Sequence, residues 1–242
     1  MDYLVVIAAE AARVGQLARV GPLDARVPHM KRWRLGDVVA HLGGVHRWAA
    51  DIVTKRKWDG EGHRRGRDDG DALIAWFDEG AERLVSTLAA AEPAGQCDNF
   101  SPGSPQTVGF WLRRQAHETT MHRWDAEAAV GSITPIDADF ASDGIDELFH
   151  TFTRTRGKQV LDAPLRITCT DTQATWTLVP VTKPGRVDLV PDPGTKPEAG
   201  IAGTAEHLLL ALWKRLPLEE SGLTLRGRHQ MVADFIAGPV SP

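Results

Sequence analysis

Hydrophobic residues recur every three or four positions along most of the first 130 residues, and this spacing predicts amphipathic helices. Proline, glycine and runs of charged residues interrupt the pattern three times, so the sequence predicts four helices joined by loops. An up-down four-helix bundle is the simplest fold for this pattern, and such bundles often hold metals between facing helices. The predicted helices cover residues 2–19, 33–55, 71–91 and 106–130.

The pattern changes near Pro135, where small polar residues mark a predicted domain boundary. Extended segments with alternating or β-branched residues follow, and they predict a sheet with accompanying helices. Thr204 is placed to cap one of these helices and Pro217 to end it. We therefore predict an α+β protein in which residues 1–134 form the bundle and residues 135–242 form a smaller α+β domain. The predicted helices of this second part span 137–154, 203–218 and 229–238, and the predicted strands span 163–171, 174–181, 185–192 and 222–227.

Composition and charge argue against two classes of function, nucleic-acid binding and membrane insertion. The 242 residues carry a net charge of -4 with a pI near 6.1, so no basic surface for nucleic acid is indicated. No apolar run is long enough to span a bilayer, and the N-terminus lacks the features of a signal peptide. The two cysteines form no CxxC pattern and indicate neither a disulfide framework nor a cysteine-rich zinc site. We expect a cytoplasmic monomer or homodimer that binds neither nucleic acid nor membrane.

The segment 106–130 holds the strongest candidate for chemistry, because Glu118 and His122 lie four residues apart on a predicted helix. Side chains at that spacing project from the same face and lie close enough to share one ion. Asp125 follows about one turn later, where its carboxylate could orient the imidazole of His122. The segment thus supplies half of a candidate metal site.

His41 is the candidate third ligand, since it lies on the inward side of the second predicted helix beside Gly43 and Gly44. Adjacent glycines inside a helix each cost about 1 kcal/mol relative to alanine, so they indicate close approach of another backbone or of a ligand. Two imidazoles and one carboxylate suit a divalent ion such as zinc and leave positions open for water or substrate. The same spacing also fits an ordinary polar pair on a helix, and His46 and His117 are the competing ligand candidates.

Residues 56–70 are rich in glycine and charge, and we interpret them as a mobile, solvated connector between the second and third helices. Arg64, Arg65 and Arg67 could instead cover an anionic ligand over the candidate site. Nearby aspartates balance this positive charge within the loop, which favours the solvated connector.

Three segments carry a family resemblance: DVVAHLGGVHRWA, RRQAHETTMHRWDAE and GTAEHLLLALWKRLP. Together they resemble the maleylpyruvate isomerase family of mycothiol-dependent enzymes, and the likeness extends over nearly the whole chain. The N-terminal part of that family resembles DinB-type metal-binding four-helix bundles. The C-terminal part of the chain resembles small sterol-carrier-like modules.

This resemblance implies that His41, Glu118 and His122 bind a divalent metal, usually zinc, and that mycothiol is a thiol cosubstrate. The metal would favour the thiolate form of that low-molecular-weight thiol, which is the nucleophile. Isomerisation or thiol transfer on a small electrophilic substrate would follow. A substrate that carries carboxylates also needs positive partners, and the resemblance supports Arg226 and Arg228 as substrate-facing catalytic positions.

Two other functions stay open at the level of sequence. Metal-bound water could serve as the nucleophile of a hydrolase, or the chain could be a non-catalytic protein that binds a metal and a small ligand. A deep hydrophobic pocket in the C-terminal sheet and a metal site closed to solvent would favour the binding protein. Cys97 and Cys169 have no neighbouring base or pairing motif, which indicates structural residues rather than nucleophiles.

Overall fold

The computed structural model describes residues 1–66, 69–101, 103–153, 161–180, 187–190, 194, 196–238 and 240. Within these ranges the chain forms seven α-helices and five β-strands. The helices are α1 (Tyr3–Val20), α2 (Leu35–Lys55), α3 (Gly70–Ala89), α4 (Val108–Val130), α5 (Ala138–Leu148), α6 (Ala205–Leu212) and α7 (His229–Ala237). The strands are β1 (Leu165–Cys169), β2 (Thr175–Pro180), β3 (Val187–Val190), β4 (Ala199–Gly203) and β5 (Thr224–Gly227).

Helices α1 to α4 form a four-helix bundle, which confirms the fold predicted for the N-terminal part. The predicted helical spacing places apolar residues of all four helices in one core, including Val14, Leu42, Phe77 and Ala126. Both α1 and α2 pack mainly against α3 and α4. Because α2 and α4 are therefore direct neighbours, the candidate ligands on these two helices can face each other.

The observed helix ends lie within two residues of the predicted ends throughout the bundle, but two later helices differ. The regular part of α5 ends at Leu148, and a wider π-helical turn over Phe149–Thr153 follows, in which Phe149 and Phe152 stay buried. Arg154, the predicted last residue of this helix, lies outside the described residues. Thr204 caps α6 as predicted, since its side-chain oxygen accepts a hydrogen bond from the backbone N–H of His207.

The predicted end of α6 at Pro217 is wrong, because the helix stops at Leu212. Lys214 has a positive φ of 60°, which an α-helix does not accommodate, so the chain has already left the helix before the proline.

The sheet has the strand order β3-β2-β1-β4-β5, with β1 and β4 parallel and the other pairs antiparallel. This sheet and its helices confirm the predicted α+β class. Strand β4 was absent from the sequence prediction although it lies in the interior of the sheet. Its sequence AGIAG holds one β-branched residue, so it gives little strand signal. Along β1 and β4, Leu165, Ile167 and Ile201 are buried on one face, which leaves Arg166 and Gly200 on the other.

The chain forms two compact units, residues 1–100 with 104–134 and residues 101–103 with 135–242. We propose residues 1–134 and 135–242 as the two domains. In the ranges that the structure describes, no helix combines the length and the apolar character that crossing a membrane requires.

Candidate metal centre

The side chains of His41, Glu118 and His122 converge where α2 faces α4. Nε2 of His41 lies 3.2 Å and Nε2 of His122 lies 3.3 Å from the same carboxylate oxygen, Oε1 of Glu118. One potential ligand atom from each residue lies within 4.8 Å of the other two. The structure thus brings together the three side chains that the sequence predicted, and their role as metal ligands remains a prediction.

Helix α4 buries polar side chains along most of its length, which is unusual for a bundle helix. Each buried polar group must find a partner, because an unpaired one is costly away from water. A helix of this kind indicates a built polar site in addition to a hydrophobic core. The buried polar residues of α4 are Arg114, Gln115, His117, Thr119, Thr120, His122, Arg123, Asp125 and Glu127.

Asp125 contacts the imidazole of His122 at Nδ1, the ring nitrogen that faces away from Glu118. This contact was predicted from the sequence. Oδ2 of Asp125 lies 2.8 Å from Nδ1 of His122, and Oδ1 of Asp125 lies 2.7 Å from Nε2 of His29. A carboxylate on Nδ1 keeps a proton on that nitrogen and leaves Nε2 facing Glu118, where its lone pair would be available to a shared cation. His29, in the loop before α2, was not predicted, because nothing in the spacing of a loop residue places it against α4.

A second histidine, His63, contacts His41 at Nδ1, the ring nitrogen that faces away from Glu118. Nε2 of His63 lies 2.9 Å from Nδ1 of His41, and the two rings are nearly perpendicular with centroids 4.5 Å apart. His63 was not predicted from the sequence, because it lies in the 56–70 loop that was interpreted as a solvated connector. Both histidines that face Glu118 therefore have their outer nitrogen occupied.

Residues 58–66, here called the 58–66 segment, are mostly exposed, as a solvated connector would be, but a few contacts anchor them on α2. The indole N–H groups of Trp48 and Trp58 both donate to the backbone carbonyl of Glu61, each at 3.0 Å. The backbone N–H of Gly66 donates to the carbonyl of Ala40 at 3.0 Å. The polar composition predicted this exposure, but it could not predict the anchoring contacts. Arg67 and Asp68 lie outside the described residues.

Gly44 allows the 58–66 segment to approach α2, and Gly43 leaves room for Trp76 of α3. A Cβ atom on Gly44 would collide with the carbonyl oxygen of Arg64 and lie 2.9 Å from its carbonyl carbon. A Cβ atom on Gly43 would press into the ring of Trp76. The predicted close approach of another backbone is thus confirmed at Gly44, while Gly43 meets a side chain.

Three further side chains complete the surroundings of the site. Arg114 donates from its guanidinium to the second carboxylate oxygen of Glu118 at 3.2 Å. Trp33 stacks on His122 with an interplanar angle of 9° and a centroid distance of 5.8 Å. The guanidinium of Arg65 lies 4.2 Å above the ring of Trp33, so one of the predicted covering arginines does lie near the site.

The protonation states follow from burial and from these contacts. Burial disfavours the charged form of Glu118, but hydrogen bonds with His122 and His41 and the charge of Arg114 hold its pKa well below the ordinary value. Burial also opposes a charge on His122, yet its contacts with Asp125 and Glu118 raise its pKa. Burial lowers the pKa of His41. The site therefore centres on an ionised carboxylate between two imidazoles.

The residues present fit a divalent cation. Two imidazole nitrogens and one ionised carboxylate oxygen form a ligand set typical of zinc and related ions. The side chains of His41 and Glu118 are 13% and 18% exposed, so water or a small ligand can reach the same point from outside. A site of three protein ligands that stays open to solvent is typical of catalytic rather than structural zinc.

The competing candidates His46 and His117 lie elsewhere. His46 is fully buried, its Nε2 lies 3.1 Å from the hydroxyl of Thr119, and burial lowers its pKa to about 3. The ring of His117 packs edge-on against Tyr3 of α1, with centroids 6.2 Å apart. Neither belongs to the group of side chains that could share an ion within the described residues.

Arg226 and Arg228, the predicted substrate-facing residues, lie in the second unit and border a cavity of about 840 Å³ over β1, β4 and β5. Arg166 and Lys196 add two more positive charges to its wall. Arg228 forms ion pairs with Asp162 at 2.6 Å and with Glu198 at 3.4 Å. Arg226, by contrast, pairs with no carboxylate among the residues that the structure describes. The cavity wall thus combines four basic side chains and Glu198 with a lining that is mostly apolar.

Comparisons with known proteins agree with this architecture. Residues 6–127 match the family model described as the mycothiol maleylpyruvate isomerase N-terminal domain, and residues 139–233 match the C-terminal domain model of the same proteins. Two similar solved structures are crystal structures of a mycothiol-dependent maleylpyruvate isomerase and of a point mutant of it. The first is 11% identical with a TM-score of 0.59 and the mutant 10% identical with a TM-score of 0.61, each covering 86% of both chains. No curated protein sequence matched the chain.

Proposed function

Since the chain belongs to the mycothiol maleylpyruvate isomerase family, a family of isomerases, we propose that it is a divalent-metal-dependent enzyme that uses an external thiol. The thiol is mycothiol, and the reaction is isomerisation or thiol transfer on a small electrophilic substrate. The observation that carries this proposal is the convergence of His41, Glu118 and His122 on one partly exposed point.

The chain's own residues prepare this point for a cation. His41 and His122 each turn Nε2 inward, and Asp125 keeps the outer nitrogen of His122 engaged. Arg114 balances the second oxygen of Glu118, which leaves the first oxygen to act as a ligand. A bound divalent cation would stabilise the thiolate form of an external thiol, as cations do for coordinating thiols in general. The proposed cation is zinc, which suits this ligand set.

The nucleophile in this proposal comes from outside, because the chain's two cysteines are poorly suited to the role. Cys97 and Cys169 are both fully buried, and burial raises the pKa of each thiol. In an isomerisation, the external thiolate adds to one carbon of a conjugated double bond, the resulting single bond rotates, and the thiolate leaves. The thiol is regenerated, so no oxidant or reductant is consumed.

We expect turnover only when metal and thiol are both present. The test incubates zinc-loaded protein with mycothiol and a panel of conjugated dicarboxylates, and it repeats the assay with chelator-treated protein and without thiol. A double variant with Cys97→Ala and Cys169→Ala is the matched control, and it should keep its activity. Equal activity without thiol would overturn the thiol proposal and favour a hydrolase that uses metal-bound water.

We also propose Arg226 as a group that binds an anionic part of the substrate. Its guanidinium lines the cavity of the second unit, and no carboxylate among the described residues pairs with it. Arg228 borders the same cavity but is held by Asp162 and Glu198. Of the two arginines predicted from the sequence, Arg226 therefore has the charge more available for a ligand.

Replacing Arg226 with alanine is expected to lower kcat/KM for a carboxylate substrate by roughly 10-fold, mainly through a higher KM. An exposed charge-assisted hydrogen bond contributes near the lower end of about 1.5–3 kcal/mol, which gives that ratio. Arg228→Ala in the same cavity is the matched control and should change KM less. Equal losses in both variants, or a loss in neither, would contradict a specific role for Arg226.

A further inference from the structure

We propose that His63 is a positioning residue for His41 and accepts a hydrogen bond from Nδ1–H of that ring when the lone pair of Nε2 binds a cation held together with Glu118. The proposal rests on the proposed function in one respect, that His41 is a metal ligand. It goes further by assigning a role to the 58–66 segment, which belongs to no helix of the bundle.

The contact between the two histidines has hydrogen-bond geometry. Nε2 of His63 lies 2.9 Å from Nδ1 of His41, within the normal range for a nitrogen donor and a nitrogen acceptor. The rings are nearly perpendicular, at 86°. His63 therefore contacts the one nitrogen of His41 that does not face Glu118.

The direction of this hydrogen bond depends on what His41 does with its other nitrogen. If Nε2 of His41 donates to Glu118, Nδ1 has no proton, and His63 must donate to it. If Nε2 of His41 uses its lone pair to bind a cation, Nδ1 carries the proton and His63 must accept. The two neutral rings hold two protons in both arrangements, so cation binding reverses the hydrogen bond without a net gain or loss of protons.

His63 can hold His41 in place because the 58–66 segment is itself held on both sides. Two residues before His63, the carbonyl of Glu61 accepts hydrogen bonds from two indole N–H groups. Three residues after it, the N–H of Gly66 bonds to the carbonyl of Ala40, the residue that precedes His41. A partner fixed in this way orients a ligand more effectively than one on a free loop.

The two histidine ligands thus have different supports. Asp125 places a carboxylate behind His122, whereas His63 places a neutral ring behind His41. A neutral partner can support the metal-binding tautomer without adding a negative charge to a site that already holds Glu118. The bound cation would then keep more of its positive charge for an incoming thiolate than it would with carboxylates behind both rings.

The first experiment measures Zn²⁺ affinity by competition with a chromophoric chelator. His63→Phe keeps a ring but removes the acceptor, and we expect about 10- to 100-fold weaker binding, the usual cost of losing such a partner. His63→Gln places an amide oxygen near the position of Nε2 and should restore most of the affinity. Arg64→Ala, at a neighbouring residue whose side chain is 91% exposed, is the matched control and should bind like the wild type.

The second experiment follows the ¹⁵N shifts of the histidine rings during a Zn²⁺ titration of the wild-type protein. His63 should change from the Nε2–H to the Nδ1–H tautomer as the site fills. An unchanged tautomer, equal affinity in His63→Phe and wild type, or no difference between the Phe and Gln variants would each overturn the inference. Failure of the wild type to bind Zn²⁺ would instead overturn the proposed function, so the two failures are distinguishable.

Discussion

Replacing His122 with alanine is expected to abolish stoichiometric metal binding and, with it, thiol-dependent turnover. His122 supplies one of three ligands, and its loss leaves His41 and Glu118, which cannot hold an open-site cation tightly. The loss of affinity should exceed the roughly 10- to 100-fold that follows removal of a supporting residue. Elemental analysis of purified protein should show about one divalent ion per wild-type chain and only background metal in the variant.

His117→Ala is the control for this measurement, because His117 lies on the same helix and is also buried. It packs against Tyr3 rather than facing Glu118, so this variant should keep its metal. Circular dichroism of both variants shows whether the helices are intact. Equal metal content in His122→Ala and in the wild type would refute the ligand assignment.

Replacing Gly44 with alanine is expected to destabilise the protein and to weaken metal binding together. The added methyl group would collide with the carbonyl of Arg64, and backbone on both sides leaves no flexible side chain to move aside. Forcing extra volume into a packed contact costs about 1–3 kcal/mol. That cost works against the gain of about 1 kcal/mol that alanine brings over glycine in a helix interior. Relief requires the 58–66 segment to leave α2, which would also remove His63 from His41.

Gly62→Ala is the matched control, since a Cβ atom at Gly62 meets nothing within 4 Å. It makes the same chemical change within the 58–66 segment and should leave both stability and Zn²⁺ affinity near those of the wild type. Urea unfolding followed by tryptophan fluorescence gives the free energy of unfolding, and the chelator competition gives the affinity. A Gly44→Ala protein as stable as the wild type would contradict the tight docking of the segment.

The three proposed ligands could be predicted from the sequence because regular helices carry them. Glu118 and His122 share a face at four-residue spacing whatever the rest of the chain does, and His41 lies on the inward stripe of α2. His29 and His63 could not be found in this way, because each lies in an irregular segment whose position depends on tertiary contacts. The glycine pair did indicate that something approaches α2, but not which segment.

The fold was predictable to a similar degree, for a related reason. Long amphipathic helices and β-branched strands have strong sequence patterns, so the bundle and the α+β class could be predicted. Strand β4 did not, since alanine and glycine have weak strand preference and the strand is defined by its pairing with β1 and β5. The docking of the 58–66 segment was not predicted, because its tryptophan anchors are tertiary contacts that a polar composition does not reveal.

The burial of both sulfur atoms has a further consequence for a protein proposed to handle electrophiles. A compound reactive enough to be attacked by an activated thiol would also alkylate any exposed cysteine that it met. Cys97 and Cys169 have no exposed surface and raised pKa values, so little reactive thiolate is offered to such compounds. Under the proposed function the reacting sulfur belongs to an external thiol, so burial of the chain's own cysteines would protect the protein from alkylation by its substrate.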